Sequence, residues 1–146
     1  MTSTNTSARI DVSCYEDFGR LLVYIADVAT AIRLNSPYRG DYAIRDPREV
    51  GFDVMWLADS LHCFDRLGRA LLSGDVSEIV SACDSLSSYY RMFTDGVRGS
   101  GAKGDPKASF KRYGHLCRPT EAMAVFSDIR GKALAMALEV GEEDGK

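Results

Sequence analysis

This sequence lacks the features that are typical of several protein classes. Its 146 residues contain no apolar run near the roughly 18 residues of a membrane span. The first residues are rich in Ser, Thr and Asn and have no apolar signal-peptide core. The four cysteines (Cys14, Cys63, Cys83 and Cys117) form no CxxC pair and match no zinc-site spacing. These absences predict a cytoplasmic protein with reduced thiols and with no metal or cofactor.

Cofactor and nucleotide signatures are also missing. The glycine-rich stretch 99–104 fails the phosphate-loop pattern, because Lys103 is followed by Gly104 rather than by Ser or Thr. No segment alternates apolar and polar residues as a half-buried strand would. The composition is that of a globular domain, with 45% hydrophobic residues, 27% charged residues and a net charge of −3. A chain of this length is about one domain.

Helical periodicity is the strongest positive signal. The sequence predicts an all-α, single-domain bundle of four principal helices at about 14–35, 47–73, 76–97 and 119–140, with a short helix at 106–113. We expect a flexible segment at 1–12, a helical domain at 13–141 and an acidic tail at 142–146. Within that domain, 98–118 reads as a basic, glycine-rich connection.

Helix-start and helix-stop residues support these boundaries. Ser13 and Glu16 have the spacing of a capping box, which predicts that Ser13 caps the first helix. Asp46 and Pro47 open the second helix. Gly74 and Asp75 then predict a stop followed at once by a new cap, so the second and third helices should form an antiparallel hairpin. Gly141 is expected to end the last helix.

The helix at 47–73 is apolar on two faces. Its main stripe comprises Val50, Val54, Leu57, Leu61, Phe64 and Leu71, and a second group on a nearly opposite flank comprises Phe52, Trp56, Cys63, Leu67 and Ala70. The helix at 119–140 similarly carries Met123, Leu134 and Leu138 outside its main stripe. Surplus apolar surface predicts a protein partner or a homodimer through one of these two helices, with Trp56 as the anchor. The alternative is that other parts of the same chain cover these faces and that Trp56 is core.

The segment 98–118 concentrates positive charge, with six cations against the single acid Asp105. An interface here would bind an acidic protein surface, or would pair phosphates and stack bases of a nucleic acid. The alternative is a solvated loop whose aromatic residues turn inward as packing. The candidate contact residues are Arg98, Lys103, Lys107, Phe110, Lys111, Arg112, Tyr113, His115 and Arg118.

Catalytic or metal-binding patterns are weak. Asp59, His62 and Asp65 lie three residues apart on one helix but diverge around it, which favours a solvated polar face over a metal site. The pairs His62–Cys63 and His115–Cys117 lack an orienting acid nearby in sequence. Asp53 and Asp17 lie at the edges of apolar stripes, where a carboxylate needs a partner.

Three functional hypotheses remain open. The first is a non-enzymatic helical protein that binds a macromolecular partner stoichiometrically, as an inhibitor, adaptor or assembly subunit of the kind that mobile elements encode. The second is a nucleic-acid-binding module that uses 98–118. The third is a small-ligand enzyme with a pocket between helices near Asp53 or His62.

Overall fold

The computed structural model describes residues 10–34, 47–95 and 106–144. Within these ranges every regular element is helical, which confirms the predicted all-α bundle. The elements are α1 (Val12–Arg33), α2 (Pro47–Ser73), α3 (Val76–Asp95), α4 (Pro106–Tyr113), a 3₁₀ turn (Gly114–Cys117) and α5 (Pro119–Asp144).

The ends of α1 and α5 differ from the prediction. Asp11, not Ser13, caps α1: its carboxylate accepts hydrogen bonds from the Ser13 backbone N–H at 2.9 Å and from the Ser13 hydroxyl at 2.7 Å. Ile10, within the segment predicted to be flexible, is buried in the core. Helix α5 continues past Gly141 to Asp144, since one helical glycine costs only about 1 kcal/mol.

The hairpin between α2 and α3 forms as predicted. Gly74 has a positive φ of 73°, the left-handed conformation that favours glycine after a helix. The Asp75 carboxylate then accepts a hydrogen bond from the Glu78 backbone N–H at 3.2 Å and caps α3. A two-residue connection therefore reverses the chain.

The four long helices form an antiparallel ring in the order α1, α2, α3, α5. At successive contacts between two neighbouring helices, the residue numbers rise along one helix and fall along the other, so each neighbouring pair is antiparallel. The pairs that show this are Tyr15 with Leu71 and Phe18 with Gly68, Arg66 with Ser81 and Trp56 with Phe93, Asp84 with Arg130 and Tyr90 with Phe126, and Asp17 with Lys132 and Tyr24 with Arg118.

Aromatic rings fill two layers of the core. In the middle of the bundle, Phe64, Tyr90 and Phe126 pack with ring centroids 5.2 to 6.4 Å apart. At the end where α2 begins and α3 finishes, the Phe110 ring from α4 stacks on Phe93 at 5.1 Å. Helix α4 therefore closes that end of the bundle.

Helix α2 is rotated relative to the prediction. The predicted main stripe is wrong at Val54 and Leu61, which are exposed, but right at Phe64 and Leu71, which are buried. Trp56, Leu67 and Ala70 of the predicted flank share the core with them. Two polar residues also point inward, because each finds partners there. The Asp53 carboxylate accepts from Ser109, and the Ser60 hydroxyl donates to the Trp56 carbonyl. The buried residues of α2 are Asp53, Trp56, Ser60, Phe64, Leu67, Ala70 and Leu71.

Candidate protein-docking groove

The basic segment is divided between the core and the surface. Arg98 and Lys103 lie outside the described residues, as does the Lys107 side chain. The predicted contact residues Phe110 and Tyr113 are buried and take the packing role that was the alternative. Their rings therefore offer no face on which a base or a partner could stack.

The cations of this segment are not equivalent. The Arg112 guanidinium donates to the Asp53 carboxylate at 2.5 Å, so this predicted contact residue holds α4 on α2. Arg118 adopts a left-handed backbone conformation with φ of 49°, and its guanidinium lies 5.0 Å from the Tyr24 ring centroid. Lys111, His115 and Arg118 are exposed. Among the described side chains of this segment, Arg112 is therefore a cation that is engaged within the fold.

Trp56 is core and not a surface anchor. Its side chain is 3% exposed and makes edge-to-face contacts with Phe93 and Phe110 at 6.4 and 6.1 Å. Its indole N–H is buried without a hydrogen-bond partner. The prediction that Trp56 contacts a partner is therefore wrong for the native fold, because α3 and α4 enclose the ring.

The carboxylates singled out by sequence have structural partners. Asp53 is fully buried with Arg112 and Ser109, and Asp17 is buried beside Arg20 and Lys132. Hydrogen bonding to Asp17 raises the pKa of Lys132 above its usual range. These carboxylates tie α2 to α4 and α1 to α5, and they contact different cations.

The candidate nucleophiles are protonated thiols near neutral pH. Burial raises the pKa of Cys117 to about 12, although a hydrogen bond with Tyr90 opposes the rise. Burial likewise raises the pKa of Cys83 to about 12 and that of Cys63 above its ordinary value. All four cysteines lie in the described part of the chain and are free thiols. Activation of Cys63 by His62, or of Cys117 by His115, has no support in these environments.

The third hypothesis needs a pocket beside Asp53 or His62. Asp53 is enclosed, while Asp59, His62 and Asp65 lie on the exposed side of α2. Among the described residues, no group of three or more His, Cys, Asp or Glu is placed to hold a metal. Neither Asp53 nor His62 lines the depressions between α1 and α2, between α2 and α3, or between α3 and α5.

An apolar groove of about 430 Å³ lies between α1 and α2. Phe18 and Leu22 form its α1 side, and Leu61, Phe64, Gly68 and Leu72 form most of its α2 side, with Asp65 and Arg69 beside them. Leu72 is 80% exposed, and Leu61 and Leu22 are 43% and 42% exposed. Most of the lining is therefore aliphatic or aromatic surface that water contacts directly.

Gly68 sets the depth of this groove. A Cβ atom at this position would lie 3.0 Å from Cζ of Phe18, closer than ordinary van der Waals contact. Glycine therefore lets the Phe18 ring rest against the α2 backbone and form the floor. The Asp65 and Arg69 side chains form an ion pair of 2.9 Å on the rim.

Several exposed apolar positions of α2 continue the groove as a regular row. We call this row the α2 ridge: Val54, Ala58, Leu61, Asp65, Gly68 and Leu72. Its spacing alternates between four and three residues, which is the seam along which helices pack in coiled coils. Five of the six positions are apolar or small, and all but Gly68 are exposed. The ridge and the α1–α2 groove form one continuous surface.

Two other depressions have more polar linings. A broad one of about 780 Å³ between α2 and α3 is lined by serines of α3, with Cys63, Val80 and Met92. A cleft of about 350 Å³ between α3 and α5 is lined by Arg91, Arg130 and several serines. Their hydroxyl and guanidinium groups make both depressions more polar than the α1–α2 groove.

The periodicity of α2 correctly indicated surplus apolar surface. The predicted surplus lay on the flank that contains Trp56 and Leu67, whereas the exposed leucines of the structure are Leu61 and Leu72. Leu61 and Val54 were expected in the core, and Leu72 was not singled out. The four–three spacing of the α2 ridge was present in the sequence and could have identified the row. Which of two apolar faces is outside depends on the partners of Asp53 and Ser60, and these are distant in the chain.

Comparison of the chain with protein-family models, with curated proteins and with solved structures found no match. Within the described residues, no helix is both long enough and apolar enough to cross a membrane. The cytoplasmic location stays a prediction.

Proposed function

We propose that this chain is a non-enzymatic helical protein that binds a macromolecular partner through the α1–α2 groove and the α2 ridge. The observation that carries the proposal is the exposure of Leu72, Leu61 and Leu22 around one apolar groove. Isolated exposed leucines are ordinary on protein surfaces, but contiguous apolar patches are typical of interaction sites.

The shape of the surface favours a helix as the bound element. A groove between two antiparallel helices accepts an amphipathic helix, whose residues at i, i+3 or i+4, and i+7 fill successive positions along it. The α2 ridge supplies four–three spacing over Leu61 to Leu72, which is three turns. The Asp65–Arg69 pair at the rim would orient the bound helix.

The other two hypotheses have less support. A nucleic-acid-binding surface on 98–118 would have to work without the Phe110 and Tyr113 rings, which are buried. Arg112 is engaged by Asp53, so fewer cations remain for phosphates. An enzyme would need a nucleophile or acid–base pair in a cleft, and the carboxylates named from sequence hold helices together instead.

Helix α5 supplies a matched control surface. Leu138 is 71% exposed and lies away from the α1–α2 groove, on the other helix for which an interface was predicted. Leu138→Asp therefore introduces the same charge at a similarly exposed leucine. Its effect separates loss of the groove from a general effect of added charge.

Affinity capture from the native host tests the proposal. The parent chain, the Leu61→Asp/Leu72→Asp variant and the Leu138→Asp variant would be compared at equal loading, with nuclease treatment and at two salt concentrations. We expect a protein recovered in stoichiometric amount by the parent and by Leu138→Asp, and lost with the groove variant. Recovery that survives the groove variant, or that nuclease removes, would contradict the proposal.

A further inference from the structure

The part of the α2 ridge from Leu61 to Leu72 can pair with a copy of itself. In an antiparallel pair of helices, a and d positions of one helix face d and a positions of the other. Aligning the ridge with its own copy in this way places Leu61 opposite the partner's Leu72, and Asp65 opposite the partner's Gly68. A two-fold axis then passes between Asp65 and Gly68, and the Leu61–Leu72 layer occurs twice, once on each side of the axis.

The residues in this register are complementary in size. Leu72 is the most exposed leucine of the ridge, at 80% exposure, whereas Gly68 has no side chain beyond the backbone. The two-fold register therefore gives leucine–leucine layers at both ends and a thin central layer. Leu22 and Phe18, from α1, lie beside the ridge and would cover the flanks of the partner's helix.

The charges are complementary in the same register. Asp65 and Arg69 carry opposite charges four residues apart, and both side chains are more than half exposed. Because Arg69 follows Gly68, an Asp65 carboxylate that crosses the thin central layer meets the partner's Arg69. The interface then contains two symmetric Asp–Arg pairs and no unpaired charge at its centre.

We infer that the occupant of the α1–α2 groove is the α1–α2 face of a second copy of this chain, packed about a two-fold axis with the two α2 helices antiparallel. This inference rests on the proposed function for the choice of surface. It names the partner as the chain itself, through the complementarity of the leucines and of the Asp65–Arg69 charges.

Sedimentation of the purified full chain tests the dimer directly. Between about 1 and about 200 µM the parent should pass from monomer to dimer, as mass action requires. Leu72→Asp should raise the dimer dissociation constant by about 100-fold or more, because the symmetric interface contains the change twice. Leu138→Asp should leave the dissociation constant within about threefold of the parent. A chain that stays monomeric throughout this range refutes the inference.

Charge exchange tests the register. Asp65→Arg leaves arginine at both 65 and 69, and Arg69→Asp leaves aspartate at both. Like charges then face each other across the interface, so each variant alone should dimerise at least about tenfold more weakly. An equimolar mixture should form a heterodimer, because both arginines of the first variant then face aspartates of the second. The ion pair within each chain stays broken in the mixture, so recovery reports pairing between chains. Absence of the heterodimer refutes the antiparallel register.

The dimer and the proposed function fail in different ways. If the purified chain is monomeric but the groove variant still loses a captured protein, the second-copy inference is wrong and the proposed function holds. If the chain dimerises and Leu72→Asp has no effect, the dimer uses another face and the inference is again wrong. If groove variants change neither sedimentation nor capture, both are wrong.

Discussion

The Asp53–Arg112 ion pair should contribute far more to the free energy of unfolding than any other ion pair that a described residue of α2 makes. Asp53 is fully buried, and the Arg112 side chain is 26% exposed. Removing one member of a buried pair typically costs about 3–5 kcal/mol, because the remaining charge loses its partner in a poorly solvated site. Partial exposure of Arg112 reduces the expected cost of Arg112→Met to about 2–4 kcal/mol.

The two single variants should not be equivalent. Asp53→Asn leaves a guanidinium that can turn toward water, whereas Arg112→Met leaves a carboxylate that stays buried beside Ser109. Arg112→Met should therefore be the more destabilising change. The double variant should recover part of the loss.

Urea unfolding followed by circular dichroism measures these differences in the free energy of unfolding. For a chain of this size, each 1 kcal/mol corresponds to about 2–4 °C in melting temperature, so Arg112→Met should melt roughly 4–15 °C lower. Arg130→Met is the matched control, because the Asp84–Arg130 pair is exposed, lies away from the α1–α2 groove and should contribute less than about 1 kcal/mol. A coupling between Asp53 and Arg112 below about 0.5 kcal/mol would refute this reasoning.

Two further predictions concern glycines and thiols. A Cβ at Gly114 would lie 2.7 Å from the packed Phe110 ring, so Gly114→Ala should cost about 1–3 kcal/mol, whereas Gly131→Ala, with open space in mid-helix, should stabilise by about 0.5–1 kcal/mol in the same urea assay. Equal effects would contradict the packing at Gly114. Burial raises the pKa of Cys83 and Cys117 from 9.0 to about 12, so the unfolded thiols ionise first. Stability is then full below pH 9 and falls by up to about 1.4 kcal/mol per pH unit per thiol between pH 9 and 12; an unfolding midpoint that does not move from pH 9 to 11 would contradict this.

The bundle was predictable because its signals are local. Apolar periodicity and caps such as Asp75 depend on residues within one or two turns, and the start and end of α2 and of α4 were predicted to the residue. The predicted N-cap of α1 was wrong because Asp11 and Ser13, two positions apart, are both good cap residues. Nothing local decides which of them lies outside the helix.

The groove was not predictable because its parts meet only in the fold. Asp53 is buried by a residue 59 positions away, and the Ser60 hydroxyl hydrogen-bonds Tyr89, 29 positions away. From sequence alone, polar residues on α2 are therefore predicted to be exposed, and Leu61 is predicted to face the core. The contact between Phe18 and Gly68 likewise joins two helices, so no single-helix pattern reveals the groove floor.

The two apolar faces of α2 therefore have different physical origins. One face packs Phe64, Leu67 and Leu71 into the core of the same chain. The other keeps Leu61 and Leu72 in water, although burying a leucine fully stabilises a protein by about 1.5–3 kcal/mol. Leu72 gains little of this stabilisation in the monomer, because it is 80% exposed. Leucines at the four–three spacing of a helix seam, beside a groove floored by Phe18, are what the proposed second helix would require there.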